Sequence, residues 1–153
     1  MFSGRKQLTG IGLLLLLAAV VIAGCGGGGS SSGPLTKAEY VAQANKICVK
    51  ENKRVEEEIE NYAGEHNLRY RTPSKKDFER EAEDVFAPSV ERKIDQLQEL
   101  EPPANDEQTV DKMLSAAEKG LQEGKSDFTT LISGQALGEA RKLATEYGLK
   151  ECF

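Results

Sequence analysis

Three cysteines, Cys25, Cys48 and Cys152, and a single histidine, His66, are the side chains of this 153-residue chain with the most distinctive chemistry. A thiol can carry a covalent group, pair in a disulfide or bind a metal, and an imidazole can ligate a metal or move a proton. Metal or haem ligation needs several donors at helical or loop spacing, and His66 has no second histidine and no Glu-x-x-His pattern beside it. It reads as a surface histidine in a loop. The acidic runs VEEEIE (Val55 to Glu60) and EREAED (Glu79 to Asp84) offer carboxylates, but a calcium loop gathers oxygen donors around a glycine turn, whereas a helix splays them around its axis. They read as solvated helix faces, balanced in part by Lys53 with Glu57 and Arg54 with Glu58 at helical spacing. No serine stands in a nucleophile elbow, and the glycine run does not join a strand to a helix as a phosphate loop would. Tyr62, Leu68, Tyr70, Phe78 and Phe86 group around one predicted connection, which suits core packing under a covered loop, with a ligand groove as the alternative. The expectation is a protein with no catalytic residue, no cofactor and no metal.

Cys25 is set apart by its neighbours. Ahead of it, MFSGRKQLTGIGLLLLLAAVVIAG has a basic start at Arg5 and Lys6, an apolar run from Ile11 to Ala23 and small residues at its end, the three parts of an export signal. The run is shorter than the roughly 20 residues that cross a bilayer as a helix. An uncleaved signal anchor, lengthened by Leu8, is the alternative, and in both cases the positive N-terminal flank places the rest of the chain outside the cytoplasm. The tetrapeptide Ile22-Ala23-Gly24-Cys25 resembles the lipobox of bacterial lipoproteins at every position. That resemblance implies cleavage between Gly24 and Cys25, a diacylglyceryl group on the Cys25 sulfur, and attachment to the extracytoplasmic face of the cell membrane. Two acyl chains hold stably where one is marginal, at about 0.8 kcal/mol per buried CH2.

The chain then divides into a signal peptide at residues 1–24, the lipidated cysteine with a Gly/Ser tether at 25–34, and a single helical domain at 35–153. The tether GGGGSSSG has no side chain able to build a core, and is expected to be a coil spanning roughly 16 Å. Taking away residues 1–24 removes Arg5 and Lys6 from the 20 basic residues and none of the 25 acidic ones, so 18 face 25 and the net charge is −7. An acidic domain is repelled by nucleic-acid phosphates and by anionic headgroups, so no nucleic-acid partner is expected and attachment should rest on the lipid.

Four helical segments must carry the domain. Thr36 with Glu39 forms a capping box, bracketed by Leu35 and Tyr40, and Val41, Ala44, Cys48, Val55, Ile59 and Tyr62 lie along one face as far as a stop at Gly64. A second region, capped by Ser74 or Thr72, runs through Phe78, Ala82, Val85, Phe86, Val90, Ile94, Leu97 and Leu100 to Pro102-Pro103. Pro88 either kinks it or divides it in two, and the kink is favoured because the apolar stripe continues in phase. Asn105 or Asp106 caps a third helix with Val110, Met113, Leu114, Ala117 and Leu121 inward and Gly124 beyond its end. A fourth carries Leu137, Ala140, Leu143, Ala144 and Tyr147, closed by Gly148 and Leu149 as a glycine cap. No segment alternates as a half-buried strand does. The fold class is all-α, a bundle of about four segments.

With Cys25 assigned to lipid, Cys48 and Cys152 remain, and in an exported protein they form one possible intramolecular pair, which would staple the tail to the first helix. Two free thiols are the alternative. The order of lipobox, tether, LTKAEYVAQANKIC, LQELEPPANDEQTV and ATEYGLKECF is similar to a group of small actinobacterial lipoproteins of unknown function. That resemblance implies an anchored helical domain and carries no activity with it. The expected role is an interaction or scaffold module with an envelope protein partner; a carrier holding an apolar or cationic molecule within the bundle is the alternative.

Overall fold

The computed structural model describes residues 34–153, and among them the secondary structure is helical throughout, with no strand. Gly24 and Cys25, with the signal and most of the tether, lie outside the described residues. Helix α1 spans Lys37–Glu65, α2 Lys75–Glu81, α3 Ala87–Gln98, α4 Glu107–Ser126, α5 Phe128–Ile132 and α6 Gly138–Tyr147.

Local chemistry sets the ends of α1. The Thr36 hydroxyl accepts from the Glu39 N–H, and the Glu39 carboxylate accepts from the Thr36 N–H at 2.9 Å, so two otherwise orphaned donors are satisfied. Leu35 packs against the cluster that holds the buried Tyr40, as a hydrophobic staple does. At the other end α1 runs past Gly64 to Glu65, and the left-handed residue that turns the chain is Asn67, with φ 56°. Asparagine tolerates that conformation because its short side chain bonds locally. A single 3-10 turn at Leu68–Tyr70 comes next.

The second region begins at Ser74, whose hydroxyl and N–H form a capping box with Asp77. Asp77 also accepts from Arg71 Nη1 and Nη2, at 2.6 and 2.7 Å, and these bonds hold its carboxyl far below the usual range. From Lys75 to Gln98 the backbone stays helical, but Ala82–Phe86 forms a π turn in which the Ala87 N–H reaches the Ala82 carbonyl. A proline ring in an α-helix clashes with the carbonyl four residues back, here Asp84, and a widened turn relieves that contact. The region is therefore one helix interrupted just ahead of Pro88. The extra residue of the π turn rotates what precedes it, so Phe78, expected to face inward, is 45 % exposed.

Helix α4 ends later than its glycine suggested. Gly124 lies inside the helix and is buried, as is Gly120, and both are places where another segment comes close. A Cβ on Gly120 would strike the Ala136 carbonyl, and one on Gly124 would meet the Leu131 side chain at 2.9 Å. Glycine at this spacing lets α5 and the turn before α6 lie against α4. Gly120→Ala is expected to cost about 2 kcal/mol by overpacking, measured as a lower urea midpoint. Asp106 stands at the N-cap of α4, but its carboxylate accepts the Tyr147 hydroxyl at 2.8 Å instead of capping the helix.

Helix α6 closes at Gly148, with φ 114°, and the Leu149 N–H reaches the Ala144 carbonyl at 2.7 Å. Two core clusters fill the bundle. One joins Tyr40, Ala44, Cys48, Leu97, Met113 and Leu149 among others; the second joins Val90, Ile94, Ala117, Leu121, Leu131 and Ala140. A smaller cluster of Tyr62, Leu68 and Val85 seals the end where α1 finishes.

Candidate functional site

Cys48 and Cys152 are bonded to each other across a sequence separation of 104 and are both fully buried. The tail is also held without the bond. Asn45 and Asn52 flank Cys48 on the same face of α1: Asn45 donates to the Gly148 carbonyl at 3.1 Å, and Asn52 donates to the Glu151 carbonyl at 2.8 Å. Arg141 adds a third grip, donating from Nε to the Phe153 carbonyl at 2.8 Å. A buried, multiply held disulfide suits a structural staple; redox chemistry needs an exposed thiolate.

Next to the staple, a polar bridge joins α1 to α3. Glu51 is only 2 % exposed and accepts from Arg92 Nε at 3.2 Å. Arg92 Nη2 reaches Glu58 at 2.7 Å, and Glu58 also accepts from Arg54 at 2.9 Å. Burial pushes the Glu51 carboxyl up, but hydrogen bonds and the Arg92 and Arg54 charges outweigh it and hold the group below its ordinary value. Lys93, also buried, donates to Asn52 Oδ1 at 2.8 Å, so Lys93, Asn52 and the tail form one chain of bonds. Burial brings the Lys93 ammonium down to about 8, opposed by the Glu51 carboxylate.

Stability should therefore depend on pH in the alkaline range. Between the folded value of about 8 and the ordinary 10.5 the unfolded chain binds the extra proton, so stability should rise with pH across that window. Below it, the buried ammonium is a standing cost. Lys93→Met is expected to flatten this rise and to gain about 1 kcal/mol at pH 7, read from urea midpoints between neutral and alkaline pH.

An opening lies elsewhere, between α2 and α5. It is an open, mainly apolar trough of about 580 Å³ lined by Lys75, Phe78, Glu79, Thr129, Ile132 and Ser133. Phe78 and Ile132 are 45 % and 38 % exposed, which is unusual for side chains of their size and polarity. Lys75 and Glu79 pair with each other on its edge at 3.4 Å. The π turn that rotated Phe78 outward and the short helix α5 that presents Ile132 together create this surface.

The aromatic residues singled out from the sequence do not gather into one groove. Tyr62 and Leu68 share the small end cluster, Phe86 packs against the second core cluster, and Tyr70 is 87 % exposed. Phe78 alone reaches the trough. His66 is exposed and its ring stacks on Tyr62 at 4.1 Å between centroids. Among the described residues, no group of three or more His, Cys, Asp or Glu is placed to hold a metal ion, and no helix is long and apolar enough to cross a membrane.

The Glu51 to Arg92 bridge is not among the sequence expectations, although the sequence holds a signal for it. Glu51 falls three residues after Cys48 and four before Val55, a charge set in the apolar stripe of α1. Fold and site together define an all-α bundle with its tail stapled to its first helix and an apolar trough at one end. Compared with known protein families, curated proteins and solved structures, the chain gives no significant match to any of them.

Proposed function

We propose that the chain is a lipoprotein anchored through Cys25 on the extracytoplasmic face of the membrane, and that its helical domain is an interaction module for an envelope protein rather than an enzyme. The observation that supports an interaction role is the trough. An exposed phenylalanine and isoleucine side by side, with a charged pair on the rim, have the apolar centre and polar border of a protein-binding patch. Its position suits the role. Its helix α2 follows the end of α1 by way of the turn at Leu68–Tyr70, whereas Pro34 stands just before the start of that 29-residue helix.

A photo-crosslinking residue at Phe78 or Ile132, in native membranes, is expected to capture one reproducible protein that the same residue at the exposed Lys119 does not. Equal background at all three positions would contradict the proposal. The trough volume also falls within the range of small-molecule sites, about 300–1,000 Å³, and this supports a second reading as a carrier of an apolar ligand. Native mass spectrometry separates the two. A retained small ligand, lost on Phe78→Glu, favours the carrier.

A further inference from the structure

We infer that the outer face of the first half of α1 is a contact surface for anionic lipid headgroups, so that the anchored domain lies with this helix along the membrane. Lys46, Lys50 and Lys53 succeed one another at spacings of four and three, which sets them in one row on the helix, and all three are exposed. Val49, 52 % exposed, lies beside them. Among the described residues Lys46 and Lys50 have no ion-pair partner, and Lys53 meets Glu57 only at 3.9 Å with both side chains largely in water. Such pairs contribute little. The neighbouring acids of α1 are otherwise engaged: Glu39 in its capping box and Glu51 buried against Arg92. Asn45 and Asn52 hold the tail along this helix, which brings the exposed Lys150 near its flank together with Glu151.

The overall negative charge does not decide the matter, because charge is segregated along α1. Up to Arg54 the helix carries Lys37, Lys46, Lys50, Lys53 and Arg54 against Glu39 and Glu51. Beyond it stand Glu56, Glu57, Glu58, Glu60 and Glu65 with no base. Glu56, the first of these, is six residues from Lys50, about 9 Å along the axis, while Lys53 stands beside Glu56 and Glu57. For Lys46 and Lys50 the nearest of these acids therefore lies beyond the screening length of about 8 Å at physiological ionic strength. A headgroup layer against Lys46 and Lys50 meets positive potential, and Lys53 marks the edge of that surface.

Reach is consistent with this. Cys25 precedes Pro34 by nine residues, a span of about 16 Å for a Gly/Ser coil, and Lys46 lies about 15 Å up the helix from its cap. The lysine row orients the domain, and the lipid holds it, so the inference rests on the anchored reading.

The test makes the attachment chemically, so that its outcome does not depend on whether cells acylate Cys25. Residues 25–153 contain the whole compact unit. With Cys48 and Cys152 oxidised, this chain is coupled through the Cys25 thiol to a maleimide-bearing lipid in vesicles. On vesicles of phosphatidylcholine with an equal share of phosphatidylglycerol, acylation of Lys46, Lys50 and Lys53 is expected to slow about fivefold relative to phosphatidylcholine alone. Lys119 and Lys142 should keep their rates, and high salt should abolish the protection. Unchanged rates in the row would overturn the inference. Equal slowing of every lysine would overturn it too, since that marks adsorption without orientation.

Discussion

Replacing Cys48 and Cys152 together by alanine is expected to lower the stability of the domain by about 4 kcal/mol while leaving it folded. The separation of 104 residues sets the size, because a bond that closes a loop this long removes much of the freedom of the unfolded chain. Alanine avoids leaving a hydroxyl without a partner in the buried site. The folded state should survive because Asn45, Asn52 and Arg141 still grip the tail, and Leu149 still fills the core. Urea unfolding of the oxidised protein and the variant gives the energy. Amide exchange locates the loss: the tail and α6 should open first. A loss below about 1 kcal/mol would mean that the unfolded chain is not loosened by losing the bond.

Arg92→Ala is expected to cost about 3 kcal/mol, because it leaves Glu51 buried without its main cationic partner. The pH dependence should reverse as well. In the native protein Glu51 sits below its ordinary pKa, so its contribution is present above the unfolded value and is lost as the solution is acidified through the folded one. Without Arg92 the burial that pushes this carboxyl up is opposed by less. Its folded pKa then rises, and stability should recover as pH falls toward 5. The paired variant Glu51→Gln with Arg92→Ala should regain part of the loss. A variant whose stability falls on acidification as steeply as the native protein would contradict the assignment of the bridge.

The contrast between these two features shows what the sequence could convey. Thr36 with Glu39, and Gly148 with Leu149, act on residues within one turn, so their chemistry is visible in a short string. The cysteine pair is legible through counting, and the inward faces of α1 and α4 through period. Features that depend on a neighbouring segment are not. Gly124 looks like a helix stop in isolation, yet its role is to admit Leu131 from α5, a helix whose five residues give no periodic signal. Pro88 announces an interruption, but the π turn that absorbs it shifts the phase of everything before it. That is why Phe78 leaves the core and becomes part of the trough. Lys93, three residues after Val90 and four before Leu97, falls in the apolar stripe of α3, and its partner Asn52 across the interface is not visible in that stripe.

The tethered scaffold reading also gives these structural features a common purpose. A domain held at one end and recognised at the other must keep its ends in fixed relation. Helix α1 runs from the tethered start to the turn that leads into α2, the staple and the asparagines fasten the tail along its first half, and the Arg92 bridge ties α3 to its middle. Removing either tie should therefore weaken partner capture at Phe78 without touching the trough itself.

Whether Cys25 carries lipid decides the anchored reading, and intact-mass analysis reads it out. The protein is produced in a bacterial host with a lipoprotein pathway, extracted from the membrane fraction, and weighed whole and as its N-terminal peptide. The expected product is a chain beginning at Cys25 with the added mass of a diacylglyceryl group, and a Cys25→Ala variant should accumulate uncleaved. A chain that retains Met1, or one that begins near Cys25 with an unmodified thiol and is released from the membrane, would contradict lipid anchoring.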